Sequence, residues 1–354
     1  MPTFLVFFIV FSLLVLIHEL GHFFMAKKAG VKVEEFGVGY PPRLWGKKFK
    51  ETVYSINLIP FGGFVRLYGQ DQKVVKEKQR AFYTQSKKKR SLVIMGGVIM
   101  NFLLGVVCFA LVYSKLGIPT KLDYIKVLDV NHDSPAYQAG IKPGDKIIQI
   151  EVEGRTETAE NSETFVDLII SHRGQELILV MADGQQVKVT PRTAETTPEG
   201  QGALGVGISN IEMKFYPWWQ MPIRGIIAGL EEAILWGKEI LYSLGAMLKN
   251  LFRGVIPKDV AGPVGIYQIT SEVKKEGFLA IAQFTGILSI NLAVINVLPF
   301  PGLDGAWLVF ILLERFLGKK RRRIEQLLSQ AGLAILVLLM VLITINDIRR
   351  LMAQ

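Results

Sequence analysis

FLVFFIVFSLLVLIHELGHFFMAKK, residues 4–28, decides what kind of protein this is. The run is apolar from Phe4 to Ala26, broken mainly by Ser12 and by the group His18-Glu19-Leu20-Gly21-His22, and it ends in Lys27-Lys28. About 23 residues, each rising about 1.5 Å, make a helix of about 34 Å, enough to cross a bilayer. No basic start precedes the run and no small-residue cleavage site follows it, so it reads as a retained span rather than a signal peptide. His18 and His22 are four residues apart, which puts both imidazoles on one helix face about one turn apart. Two neutral imidazoles can hold one zinc ion, and Glu19 beside them can take a proton from water activated there. At ordinary residue frequencies such a match arises by chance in roughly one chain in a hundred of this length. The chain has only four histidines, and two of them are here. Ionisable groups are costly inside a span, which makes a functional site the first reading. Counted from Lys27, the pair lies roughly 8–14 Å inside the cytoplasmic boundary, so a polar cavity must bring water to it.

Composition sets the frame around this helix. Of 354 residues, 50% are hydrophobic and 20% are charged. With a positive mean hydropathy, this mixture implies several spans plus a soluble domain. The net charge of +10 does not point to nucleic acid, because the basic residues cluster beside apolar segments, where they orient a membrane protein. Cys108 is the only cysteine. It excludes an intrachain disulfide and a cysteine zinc cluster, and it reads as a small lipid- or helix-facing residue.

Three further segments read as spans: Leu92 to Tyr113, Phe278 to Leu298, and Ala331 to Asn346 around an apolar centre from Leu333 to Ile345. The apolar stretch from Gly305 to Leu317 is short and reads as a partly buried helix. Lys27, Lys28, Arg43, Lys47, Lys48, Lys50 and Lys87-Lys88-Lys89-Arg90 lie between the first two spans, and Lys319-Lys320-Arg321-Arg322-Arg323 precede the last. The positive-inside rule makes both loops cytoplasmic and puts the termini and the middle segment outside.

Between the basic groups, residues 52–67 are too apolar for a free loop. Pro60 with Gly62-Gly63 implies a tight turn, and a β-hairpin dipping into the membrane is the specific reading. A hairpin on the membrane surface is the alternative. The middle segment has short strands at Tyr124–Val130, Lys146–Glu151, Glu176–Met181 and Gln186–Pro191, and a helix at Phe165–His172. This is a compact domain of about 90 residues. His132 and His172 fall in it and read as solvent-facing. From Pro222 to Phe252 apolar residues recur at helical spacing, interrupted by charges. An amphipathic helix on the outer membrane surface and one packed on the globular domain both fit.

Two histidines need a third protein ligand, and Asp304 is the candidate. It follows Pro299-Phe300-Pro301-Gly302, which breaks a helix and lets a carboxylate turn inward. Asn291 and Asn296, amides in the preceding segment, suit binding of an unwound substrate backbone or of an oxyanion. Interhelical hydrogen bonds are their bland alternative. Asn101, after Gly96-Gly97, reads as a helix-packing residue.

These motifs, in this order and over nearly the whole length, resemble the site-2 protease family, and more narrowly its bacterial regulator of sigma-E protease (RseP) type. The stretch Ile59 to Val65, with Gly62 and Gly63, resembles the family's membrane-reentrant β element. Asp133-Ser134-Pro135-Ala136, Ala139-Gly140, Gly144-Asp145 and Gly205-Val206-Gly207-Ile208 resemble a PDZ domain. Gly262 to Ile266 resembles a segment linking it to the third span. The resemblance implies a four-span α-helical membrane protein with a membrane-reentrant β element and one extracytoplasmic PDZ-like α/β domain. Its parts would be residues 1–118 (two spans and the β element), 119–212 (PDZ), 213–270 (amphipathic helix and connection) and 271–354 (two spans). It implies Zn2+ held by His18, His22 and Asp304, Glu19 as general base, and substrate contacts at Asn291, Asn296, Gly62 and Gly63. The activity implied is cleavage of single-pass membrane proteins, such as anti-sigma factors or remnant signal peptides, within the bilayer of a bacterial inner membrane. Two departures stand out: Ala306-Trp307 replaces the glycine and histidine of many relatives, and there is room for one PDZ domain, not two. The competing reading is an inactive membrane scaffold that binds partners through the PDZ domain. A transporter with a broken helix is weaker, because no inverted repeat is visible.

Overall fold

The computed structural model describes the chain except residues 71–75, 153, 159–160, 199, 254–261, 318–320 and 353–354. Lys319-Lys320 of the second basic run and residues 254–261 of the connecting segment therefore lie outside the described residues. The chain divides into two compact units, one made of Met1–Lys115 and Trp218–Gln354, the other of Leu116–Pro217.

The first helix, α1, spans Thr3–Ala29 and ends at Gly30, whose left-handed backbone (φ 79°) lets its N–H close on Ala26 and Lys27. Lys27 and Lys28 sit in the last turn, where cations suit the helix dipole. Two long strands follow, β1 (Val33–Phe49) and β2 (Thr52–Leu67). The sequence led us to expect a simple hairpin turning at 60–63. Instead, the first part of β1 lies between the two arms of β2, and its second part lies outside the first arm. Residues 35–38 pair on one edge with 63–66 and on the other with 53–56, while 43–49 pair with 52–57. A residue with a partner on each side is in a central strand, so Gly63–Leu67 forms one edge of the sheet. The element runs along α1. Lys27 Nζ reaches Thr52 Oγ1 (2.9 Å) at one end, and Ser12 Oγ donates to Pro60 O (3.3 Å) at the other. Glu35 is buried inside the sheet, where it accepts from Ser55 (2.7 Å) and pairs with Arg43 (2.6 Å) and Arg66 (3.3 Å). The next helix, α2 (Lys87–Leu116), crosses α1 where both chains have glycine. A Cβ on Gly21 would lie 2.1 Å from Gly96 O.

The Leu116–Pro217 unit begins with β3 (Ile118–Val130), followed by α3 (Pro135–Gln138), β4 (Lys146–Val152), β5 (Arg155–Glu157), α4 (Ser162–Ser171), β6 (Leu177–Met181), β7 (Gln186–Val189) and β8 (Val206–Lys214). The sheet order is β7-β6-β4-β3-β8, with β5 on β4. Its core includes Ile125, Val127, Ile147, Ile150, Phe165, Leu177 and Leu179. β3 starts six residues earlier than the sequence suggested, because Ile118–Lys121 pair with Ile211–Lys214. Ser134 caps α3 by accepting from Tyr137 N (3.1 Å), and Asn161 caps α4. His132 is exposed, while His172 is half-buried with its ring on Leu168 O (2.9 Å).

Among the described residues, the first unit is completed by α5 (Met221–Phe252), α6 (Pro263–Glu276), α7 (Phe278–Val297), α8 (Asp304–Leu317) and α9 (Arg321–Met352). Among the described residues, four helices are long and apolar enough to cross a membrane: residues 3–29, 87–116 and 278–297, and Ile324–Met352. The last is much longer than the apolar centre that marked it. α5 packs on α2 and α7. Cβ atoms on Gly225 and Gly229 would meet Ser114 and Ala110, and buried Ala233 joins Val106, Phe109 and Ile290. Cys108 faces a helix, since a Cβ on Gly286 would lie 3.2 Å from its own. α9 is held at several places. Gly332 lies against Pro301, and buried Asp347 accepts from Gly265 N (2.8 Å) in the first turn of α6.

Candidate metal centre

His18 and His22 project from one face of α1, as their spacing requires. Asp304 comes from the first residue of α8, after a break whose Gly302 (φ 100°) takes a backbone shape that side-chain-bearing residues avoid. The three converge. His18 Nε2 and His22 Nε2 are 3.2 Å apart, and they lie 3.0 and 3.2 Å from Asp304 Oδ2. Tetrahedral zinc with bonds of about 2.0–2.1 Å separates its ligands by about 3.3 Å, so the triangle has the right size.

The partners behind the rings decide the protonation. His22 donates Nδ1–H to the Val93 carbonyl (2.9 Å), which leaves a bare lone pair on Nε2 aimed at the carboxylate. His18 Nδ1 lies 3.2 Å from Asn101 Nδ2, while the buried Asn101 Oδ1 has no partner. Turning that amide by 180° places the oxygen on the ring, where Nδ1–H can donate to it. Asp304 Oδ2 is also buried without a hydrogen-bond partner. With both Nδ1 protons in place, two Nε2 lone pairs and a carboxylate oxygen face one another, an arrangement that suits a metal cation. The residues fit zinc.

Glycine makes room for this cluster. A Cβ on Gly97 would lie 2.6 Å from His18 Cε1 and 2.7 Å from His22 Nε2. Glu19 is next to the ligands, and its carboxylate lies beside the Val65 backbone. Glu19, His22 and Asp304 share a cavity of about 180 Å³. Asn291 is half-buried and Asn296 buried on α7. Neither they nor Gly62 and Gly63 are among the cavity's wall residues. Gly63 is nevertheless close to the base, because a Cβ there would lie 3.9 Å from Glu19 Cγ. Gly62 (φ 70°) packs on Val15. Asn101 and Gly97 are the residues that sequence reasoning missed, having read the first as packing only. Their signal was an amide one turn after a glycine pair in a span.

Outside the spans, Glu51 at the β1–β2 turn has its carboxyl held below the usual carboxylate range, first by its hydrogen bond from Lys27 (2.6 Å) and then by Arg80.

The profile of peptidase family M50 matches residues 6–339 of this chain. A Clostridium acetobutylicum protein with a zinc metalloprotease name is 33% identical over 96% of this chain and 95% of its own length. The zinc metalloprotease RasP of Geobacillus kaustophilus is 29% identical, with 97% of each chain covered. The regulator of sigma-W protease RasP of Bacillus subtilis is 28% identical, over 99% of each.

Proposed function

Because the chain belongs to peptidase family M50, the site-2 protease family, and is a zinc metalloprotease, we propose that it cuts single-pass membrane proteins inside the bilayer of a bacterial cell membrane. The convergence of His18, His22 and Asp304 within apolar helices carries this reading. These three residues hold the zinc. When bound, it supplies Lewis acidity that polarises the scissile carbonyl and the attacking water. Glu19 takes the proton from that water and returns it to the departing amide nitrogen. His22 and His18 stay in the ligating tautomer through Val93 and Asn101.

A substrate helix has its backbone bonds satisfied, so it must unwind before attack. The Gly63–Leu67 edge of the β element accepts the extended chain by strand addition, and its position along α1 from Lys27 to Ser12 supports a membrane-reentrant placement. Gly62 and Gly63 let that chain approach closely, and Asn291 and Asn296 bind its freed backbone groups or the developing oxyanion. The Leu116–Pro217 unit is a PDZ domain on the outer side, opposite a site near the cytoplasmic face. Its groove between α4 and the start of β8 meters access to the site or holds a new C-terminus. Substrates include anti-sigma factors and remnant signal peptides. The scaffold alternative fails against the zinc metalloprotease assignment.

The test is Glu19→Gln in the full-length protein, assayed on a single-pass substrate in proteoliposomes. Zinc and fold should be kept and cleavage lost. Cleavage at the wild-type rate would refute the assignment of the base.

A further inference from the structure

The cavity at the metal centre has two kinds of wall residue. Glu19, His22, Asp304 and Gln70 are polar. The others are Val65 and Leu67 from β2, Phe82, Val93, Ile94 and Trp307. Leu67, Phe82, Val93 and Ile94 are buried in one packed cluster with Ile311, so these walls are firm. Trp307 is one helical turn after Asp304, on the same face of α8, and its ring packs edge-on against buried Phe310.

The strand register aims the cavity at a substrate. Along Gly63–Leu67, alternate residues share a face. Gly63 faces Glu19, and Val65 and Leu67 line the cavity on that same face. Arg66, on the opposite face, is tied to Glu35. A chain added to this edge alternates in the same way, so every second side chain points to the cavity side. The cavity includes both the base and a ligand carboxylate, so the side chain that enters it is within a residue or two of the scissile bond.

We propose that this cavity is a specificity pocket for one bulky apolar side chain beside the scissile bond, with Trp307 and Phe82 setting its size. The inference rests on the protease reading above. A pocket of about 180 Å³ has room for a leucine, methionine or phenylalanine side chain. An acidic side chain would be buried there beside the Glu19 and Asp304 carboxylates and against the apolar part of the wall, and is rejected. An alanine leaves the walls uncovered.

The experiment uses the full-length zinc protein in nanodiscs and a single-pass substrate whose cut has been mapped. Each residue flanking the cut is changed to alanine, leucine, phenylalanine, tryptophan or aspartate. At one flank, leucine and phenylalanine should be cut at least ~10-fold faster than alanine or aspartate, the scale of hydrophobic-pocket discrimination. Trp307→Ala should move the optimum to tryptophan, and Phe82→Leu should do so independently if the first variant folds poorly. Zinc content is measured for both. A second arm needs no turnover. A benzoylphenylalanine at that flank, irradiated with Glu19→Gln protein, should cross-link to the segments around 82 and 307. A flat profile at both flanks, an unchanged optimum in zinc-loaded variants, or cross-links confined to other segments would each overturn the pocket. A wild-type protein that cuts nothing sinks the protease reading instead, and the cross-linking arm then still decides the pocket.

Discussion

Gly97→Ala adds one methyl group where the structure has no space for it. The new Cβ would be 2.6 Å from His18 Cε1 and 2.7 Å from His22 Nε2. Unstrained carbon contacts are about 3.5–4.0 Å, so something must move by about 1 Å. The α2 backbone cannot easily do so, because Gly96 is already against Gly21 at the same crossing. The rings must therefore move, and metal sites tolerate only about 0.2 Å. We expect at least a 100-fold loss of zinc affinity, equal to about 2.8 kcal/mol. Gly105→Ala is the control. Its Cβ would lie 2.5 Å from an atom, but that atom is the end of the Ile290 side chain on α7, away from the rings. Overpacking there costs about 1–3 kcal/mol of stability and should leave zinc in place. The assay is zinc per protein by elemental analysis after dialysis against graded chelator, beside thermal unfolding. If Gly97→Ala keeps zinc as tightly as Gly105→Ala, the reasoning about the crossing is wrong.

Replacing Asn101 by leucine removes the group behind His18 Nδ1. Zinc affinity should fall about 10–100-fold, the usual cost of losing such a partner, while Asn101→Asp, which restores an acceptor, recovers most of it in the same chelator titration. The Glu51 pair predicts a pH dependence. Its folded carboxyl titrates below the unfolded value, so the stabilisation is complete above the ordinary carboxylate range and is lost as pH falls through the lower folded value. Partial exposure limits it to on the order of 1 kcal/mol. Unfolding curves of wild type and Glu51→Gln from pH 7 to pH 3 should therefore converge toward the acid end, and a constant gap would refute the assignment.

The four spans were legible because each carries a long apolar run, and the β element because residues 52–67 are too apolar for a loop. Its topology was not. Pro60, Gly62 and Gly63 do reverse the chain, but nothing local says that the first part of β1 lies between the arms. That depends on pairing between residues 35–38 and two separate segments, a tertiary fact with no short-range signature. The packing of α5 was not legible for a different reason. Its charges argued against burial, whereas the deciding pattern was Gly225, Gly229 and Ala233 at intervals of four, a small-residue stripe that allows close approach to α2. His18, Glu19, His22 and Asp304 could be singled out because polar residues are rare in apolar helices, and the structure brings all four together. Asn101 meets the same criterion, and its contact to His18 explains it better than packing alone.

One physical demand links these polar residues. A lone pair or carboxylate within apolar helices costs several kcal/mol unless it is paired. The site meets that demand in layers. Asp304 faces the two Nε2 atoms, His22 is backed by Val93, His18 by Asn101, and Asn101 accepts from Ser289 Oγ through its own carbonyl (2.7 Å). The β element repeats the pattern. Glu35 is buried, and it draws Arg43 from one outer segment and Arg66 from the edge next to Glu19. Neutralising Glu35 would leave both guanidiniums without their anion and free the strand whose Val65 backbone lies beside the base. The base thus lies against a sheet as well as on its own helix. This explains why a protein built mostly of apolar spans keeps so many charges between the first two.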